Sequence, residues 1–555
     1  MQSRGWNNPV RHIWGSRFKN LFGNVNLVNW VKLVRAMADN LSKSRLRYSA
    51  QGMGRRFSPK IVSASEKLTY RVRSTGRGSR GKSPTGRLAV LPKKFVSLVS
   101  SPPTGLYSIV CRIENLFLFT IQENNMSNKS ATCHRRQLLK GAALLAIGLP
   151  FYVPGRLLGK DGTVPPSEKI VLGALGIGGR GQHDLSVFMR QPDVRFVAIC
   201  DTRKNRREEL KNMADQFYNN KDCAMYRDMH EFYAEQTKMD AVLIATGDRW
   251  HTMASIVAAK AGKDIYCEKP LSLTIQESRA VEIAVNRYGR VFQAGTQRRN
   301  IGNFQLAAKM VHEGKLGKLT EVHANTLSPG TTHDWLPAQP EPERDIVDWD
   351  QWLGPCPWRP YNESYIHGGW RGFYDFHGGG ILEWGTHTVD LCQWGNQSDD
   401  TVPIEYWPTH NDKGEKTARV EGVYANGVKI VMRNDQWRGL GSCSAYYEGT
   451  EGWVETGDSG RMESSPNLRS ELKFFPMPGT SPDNHIREFL DCVKSRKNPA
   501  SNANVAANAH IASHCAKIAW DLNRKVVFDP LKEEFIDDDE ANKLRSRAMR
   551  APWRI

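Results

Sequence analysis

The ten cysteines contain no C-x-x-C pair, and no Cys/His spacing matches a zinc site, which excludes a dithiol redox centre and a zinc-ribbon fold. No repeat of 20 to 50 residues recurs, so a solenoid or propeller is excluded as well. No apolar run approaches the ~20 residues a membrane-spanning helix needs. Cys200 and Cys267 close apolar runs and read as small buried thiols. Acidic residues are nearly missing from one region: residues 1 to 125 hold 4 Asp+Glu against 22 Lys+Arg. Of the whole chain's 77 basic and 58 acidic residues, 77 less 22 leaves 55 and 58 less 4 leaves 54 for residues 126 to 555. The formal charge of +19 therefore lies almost wholly before Met126.

A basic arm ordinarily points to nucleic acid or an anionic membrane surface. Here it contains stretches such as STGRGSRGKSPTGR, with one helix-like patch, VNWVKLVRAM, and reads as largely disordered. The reading adopted is that translation starts at Met126 and residues 1–125 are an extension without function, so no nucleic-acid partner is assigned. From Met126 the sequence runs MSNKSATCHRRQLLKGAALLAIG, with nine residues before the arginine pair. Arg135, Arg136, Leu138, Leu139 and Lys140 resemble a twin-arginine export signal, with His134 where Ser or Thr is usual. The expectation is export by the twin-arginine machinery to the periplasm or beyond. No small-x-small cleavage site stands out, which leaves a tether through an uncleaved signal open.

After a Pro-rich hinge, GTVPPSEK, short apolar runs alternate with helix-period segments: IVLGALG, VRFVAIC, AVLIAT, DIYCEK and VFQAG. Near-continuous Val/Ile/Ala runs between amphipathic helices are strands buried on both faces of a parallel sheet. The fold class is α/β, a Rossmann doubly wound sheet. Beyond residue 318 the texture changes to alternating strands, and Asn426-Gly427 between such strands is a strong hairpin signal. A second, α+β domain with a predominantly antiparallel open sheet is expected. The domains are thus 126–167, signal and hinge; 168–298, dinucleotide-binding; and 299–555, substrate and oligomerisation, ending in helices.

Within IVLGALGIGGRGQHD, the segment Gly176, Ile177, Gly178, Gly179, Arg180, Gly181 gives G-x-G-x-x-G between a strand and a helix, and Asp201 follows 20 residues after Gly181. The glycines let backbone N–H groups and a helix N-terminus approach a pyrophosphate, while the Asp carboxylate accepts from ribose hydroxyls. The alternative is a structural turn. Asp201 favours NAD, because a carboxylate repels a 2′-phosphate; Arg203 and Lys204 keep NADP open.

At CEKPLS, Glu268, Lys269 and Pro270 resemble the EKP signature of the glucose-fructose oxidoreductase, inositol dehydrogenase and rhizopine-catabolism (Gfo/Idh/MocA) family. TGDRWH (246 to 251), GTQRR, GKLGKLTEVH and GTEGWVE occur in the family's order, over roughly residues 168 to 525. The resemblance implies a tightly bound NAD(P), with Thr246, His251, Glu268 and Lys269 joining the glycine loop at the cofactor, and a sugar or polyol substrate.

A second signature, GGGILEWGTHTVD, resembles the family's Asp-x-x-x-His-x-x-Asp. Glu383, His387 and Asp390 fall at i, i+4 and i+7, one face of a helix. Glu383 stands where the family has Asp, which shifts its carboxylate. Alternatives are a solvated helix face, or a zinc site of His377, Glu383 and His387. Removing hydride from a secondary alcohol needs a base for the hydroxyl proton and a cation for the alkoxide. The resemblance assigns His387 as general acid/base and Lys269 to the reacting oxygen. Glu383, Asp390 and Arg299 (or Arg298) are assigned to substrate, as are Trp370, Arg371 and Tyr374 from the aromatic segment. The expected function is hydride transfer between a bound nicotinamide and a sugar or polyol. The alternatives are an NAD-dependent glycoside hydrolase and a non-catalytic carbohydrate-binding protein. By analogy of fold the open sheet serves a homo-oligomer, dimer or tetramer.

Overall fold

The computed structural model describes residues 164–434, 437, 439–476 and 479–555, together with the backbone of three short antiparallel strands at Ser97–Val99, Tyr107–Val110 and Phe151–Val153. Expectations for the basic arm and the twin-arginine segment fall outside the described residues. The chain divides into two units, and everything that follows belongs to the one that includes residues 125–555.

Six parallel strands form the first sheet: β1 (Ile170–Leu175), β2 (Val194–Cys200), β3 (Ala224–Tyr226), β4 (Ala241–Ile244), β5 (Asp264–Cys267) and β6 (Phe292–Ala294). Their order is β3-β2-β1-β4-β5-β6. Helices α1 (Gly179–Arg190), α2 (Lys204–Tyr218), α3 (Met229–Glu235), α4 (Asp248–Lys260) and α5 (Ile275–Tyr288) alternate with the strands, so β4 and β5 are buried along their whole length. Ligands of such sheets bind where the order reverses, here between β1 and β4, beyond the strands' carboxyl ends.

After α6 (Gly302–His312) comes β7 (Leu319–Asn325), then α7 (Trp349–Leu353), α8 (Gly380–Glu383) and α9 (Gly385–Gly395). The remaining strands are β8 (Glu405–His410), β9 (Lys416–Val423), β10 (Lys429–Arg433), β11 (Ala445–Gly449), β12 (Gly452–Thr456), β13 (Met462–Ser464), β14 (Val526–Asp529) and β15 (Glu534–Phe535). They form a nine-stranded sheet with β7, in the order β13-β12-β11-β7-β10-β9-β8-β14-β15; only β7 and β10 pair in parallel. The β9–β10 turn places Gly427 at φ +85, the left-handed conformation the Asn-Gly signal requires. Helices α10 (Asp483–Ser495) and α11 (Ala503–Leu522), though late in the chain, also pack against the first sheet. Ile486, Phe489 and Leu490 of α10 pack in the Rossmann core with Phe188 and Tyr266, and α11 contributes to the cores of both sheets. Their apolar faces match surface left open on the first sheet, which sequence spacing does not reveal.

Residues 326–379, between β7 and α8, form a strap with a core of its own that includes Trp349, Trp352, Tyr365 and Phe376, with the buried Arg359 guanidinium against the rings of Tyr365, Phe373 and Phe376. The strap is tied to the turn after β2: Lys204 N donates to the Ile346 carbonyl (3.0 Å), Asp348 N to the Thr202 carbonyl (3.1 Å), and Arg203 Nη1 to the Ile366 carbonyl (2.8 Å). Gln351 reaches Asp228 at 3.0 Å. The strap thereby roofs the switch point of the first sheet. Among the described residues no helix is long and apolar enough to cross a membrane.

Candidate active site

The β1–α1 loop is shaped by steric necessity. A Cβ on Gly176 (φ +65) would stand 2.1 Å from Thr246 Cγ2, and one on Gly181 2.6 Å from the Ala245 Cβ. Nothing lies within 4 Å of the positions a Cβ would take on Gly178 and Gly179, so the N-terminus of α1 is open to an anion. Asp201 follows β2 directly, 6% exposed, with Oδ1 accepting from Arg203 N at 2.9 Å. A cavity of about 380 Å³ runs from Asp201 and this loop, under the strap, to Lys269 and Glu383. The Ile177 side chain is fully buried in the Rossmann core, off the cavity wall, so only its backbone remains to serve the loop.

The first turn of α4 forms one side of the cavity beside Thr246. His251 Nδ1 donates to the Pro270 carbonyl (2.6 Å), which leaves Nε2 an acceptor without a partner; burial pulls its pKa down to about 4. Asp248 has an unpartnered Oδ2, and burial pushes its carboxyl up to about 6 against the pull of His377 and Lys269. Arg249 donates from Nε to the Trp352 carbonyl (2.8 Å) and stacks 3.4 Å from that ring's centroid, while Nη1 has no partner. Neither Asp248 nor Arg249 was singled out in TGDRWH, although a charged pair opening a helix after a buried strand was the available signal.

Glu268 is buried behind the glycine loop, accepting from Gln297 Nε2 at 2.8 Å, with Arg180 Nε 3.6 Å away. Burial drives the neighbouring Asp184 carboxyl well upward, so it holds a proton towards ionised Glu268. Lys269 Nζ donates to the Glu383 carbonyl at 2.7 Å. The Glu383 side chain accepts from Arg371 Nε (2.5 Å) and His377 Nε2 (2.9 Å). His377 Nδ1 in turn accepts from the N–H groups of Gly372 and Gly379, which fixes the tautomer that donates to Glu383. Burial opposes ionisation of Glu383, but His377 and Arg371 outweigh it and hold the carboxyl at about 2. Trp370 and Arg371 also line the cavity.

Four residues assigned from sequence lie elsewhere. His387, 3% exposed, is off the cavity wall, and its Nε2 accepts from Arg298 Nη1 at 2.9 Å; burial and Arg298 hold its pKa far below normal. A neutral imidazole whose Nε2 lone pair faces a guanidinium is not placed to exchange protons with a ligand in the cavity. Asp390 Oδ2 accepts from Arg299 Nε at 2.8 Å while its buried Oδ1 has no partner, and Arg299 also pairs with Asp399, so these two assigned substrate residues bind each other off the cavity wall. Tyr374 lies against Arg547 (3.7 Å) and His333 rather than in the cavity. Glu383 and Asp390 share a helical stripe by sequence, but the break between α8 and α9 at Trp384 turns Glu383 to the cavity while His387 and Asp390 face inward. The zinc alternative is corrected too: both nitrogens of His377 are occupied by hydrogen bonds, and among the described residues no three His, Cys, Asp or Glu side chains are grouped to hold a metal ion.

Residues 170–296 match the family model described as "Oxidoreductase family, NAD-binding Rossmann fold", and residues 307–555 match "Oxidoreductase family, C-terminal alpha/beta domain", both Gfo/Idh/MocA. The chain belongs to this oxidoreductase family. Among curated relatives, a myo-inositol 2-dehydrogenase of Thermotoga maritima is 30% identical over 147 residues, 26% of this chain and 42% of the relative. A glycosyl hydrolase family 109 protein of Solibacter usitatus is 29% identical over 152 residues, 26% of this chain and 34% of that one. The chain thus spans less than half the length of these relatives. An aldose-aldose oxidoreductase from Caulobacter crescentus, solved with glycerol, is 17% identical, with 65% of this chain and all of that chain covered at a TM-score of 0.46. In this member of the family, the residues around the cavity fit a dinucleotide: two crowded glycines, two open ones, and buried acceptors without partners at Asp248 and His251.

Proposed function

We propose that the protein is an oxidoreductase that moves hydride between a bound NAD and a hydroxyl-bearing carbon of a sugar or polyol. The observation that carries this reading is the continuity of one cavity from the glycine loop and Asp201 to Lys269, Asp248 and Glu383. NAD would lie along the β1–α1 loop with its ribose hydroxyls on Asp201, and it supplies the hydride acceptor at the far end.

There Lys269 donates a hydrogen bond to the reacting oxygen and stabilises its developing charge. Asp248 is the cavity-wall carboxyl held near neutrality, matched to receive the proton. Glu383, kept ionised and immobile by His377 and Arg371, accepts from a neighbouring substrate hydroxyl, and the faces of Trp370 pack on sugar C–H groups. Export with the dinucleotide already in place is part of this reading, supported by the arginine pair at Arg135 and Arg136 and by the strap over the cavity.

Purified protein should change nicotinamide absorbance when given polyols or aldoses. Release of an aglycone from glycosides without net absorbance change would favour the hydrolase instead. Asp248→Asn should remove a limb near pH 6 from the kcat/KM profile; an unchanged profile assigns the proton to another group.

A further inference from the structure

Arg249 is 5% exposed, lies on the cavity wall and pairs with no carboxylate among the described residues. Its bonds are one, Nε to the Trp352 carbonyl, plus the stack on the Trp352 ring. Burial lowers its pKa only to about 10, so it carries its charge at neutral pH. An uncompensated buried guanidinium is among the costlier features a fold can hold. Its position is informative. A Cβ on Gly247 would stand 2.4 Å from Arg249 Nη1, and the preceding residue, Thr246, is the one that touches Gly176. The unpartnered Nη1 therefore lies at the turn between β4 and α4, whose Thr246 packs on Gly176 of the glycine loop, while the strap holds Nε and the face of the guanidinium.

We propose that Arg249 is an anion clamp for the pyrophosphate of the dinucleotide, closing on the ligand from the side opposite α1 and held there by Trp352 of the strap. This rests on the reading of the cavity as a dinucleotide site. An anionic group on a substrate has the same chemistry; closeness to the glycine loop favours pyrophosphate. Since Trp352 orients the clamp, the strap and the phosphate grip are one device, and the ligand is enclosed by a cation that the strap must release.

The test uses the full chain freed of nucleotide, the variants Arg249→Met and Arg249→Lys, and three probes: NADH, ADP-ribose and gluconate. For Arg249→Met, the Kd for NADH and ADP-ribose should rise about tenfold or more, the loss expected for a hydrogen bond to a charged group. The ligand-free Tm should rise by a few degrees, because an unpaired buried charge has been removed. Arg249→Lys, which keeps the charge and so the fold, should still weaken ADP-ribose by several-fold, since an ammonium cannot both stack and present a fork. The inference is overturned if both variants bind ADP-ribose within about twofold of the unsubstituted protein. A fall in ligand-free Tm with unchanged ligand stabilisation also overturns it, as does loss of gluconate binding alone. If the unsubstituted protein binds neither NADH nor ADP-ribose, the dinucleotide reading fails, and the clamp with it.

Discussion

Arg249 and Arg299 are buried alike, 5% and 3% exposed, and their surroundings are opposite. Arg299 donates to two carboxylates, buried Asp390 and half-buried Asp399. Arg249 has a ring and one carbonyl, and its remaining edge is unpartnered. The same contrast divides the site. On the interior side both guanidiniums find carboxylates, Arg298 at Asp458 and Arg299 at Asp390 and Asp399, although Asp390 Oδ1 stays unpartnered; on the cavity side, Asp248, Arg249 and His251 each keep a buried polar atom unpartnered and Arg249 meets no carboxylate. A polar group completed within the fold contributes to stability, whereas one left incomplete at a cavity marks where a ligand completes it.

The contrast can be broken from either side. The largest effect is expected at Lys269: Lys269→Met should lower kcat by about 10²- to 10⁴-fold while NADH binding, read by fluorescence, survives. Next, Arg299→Met should cost about 3–5 kcal/mol in denaturant unfolding, because it strands Asp390. Retained NADH affinity in that variant would place Arg299 in the scaffold, and lost affinity with intact stability would return it to the site. Acid offers a third probe. His251, His485 and His510 are held by burial at about 4, against 6.5 ordinarily. Between these values the unfolded chain binds more protons than the fold, so stability rises with pH there and is lost as pH falls from about 6.5 towards about 4. Asp248 and Asp390, pushed up to about 6 by burial, act in the opposite sense below pH 6, so the check is made site by site: NMR of the folded protein at pH 5 should show these three imidazoles neutral, and protonated ones would mean they are not buried neutral. The smallest effect is expected for Tyr374→Leu, which should leave KM within about twofold and reduce Tm through the lost contact with Arg547.

Much of the Rossmann half was legible because its signals are local. The glycine pattern and Asp201 sit within one strand–turn–strand unit, even though the crowding that requires Gly176 and Gly181 comes from Thr246 and Ala245 just after β4. The stripe of Glu383, His387 and Asp390 was legible as spacing, but spacing assumed one straight helix. The break at Trp384 separates the first residue from the other two, and Arg298 and Arg299, some 90 positions earlier, decide where those two turn. His377 was noticed only as a metal ligand; its actual task, orienting Glu383, depends on backbone N–H groups that no side-chain pattern encodes.

The sequence by itself determined the parallel sheet, the glycine loop, the acidic residue after it and the family, since each rests on residues within a strand or turn of one another. Only the tertiary structure decided which polar residues are completed by the fold and which are left for a ligand. That is a question of partners brought from distant positions, Arg299 to Asp390 and Trp352 to Arg249, and burial gives each meeting its energetic weight.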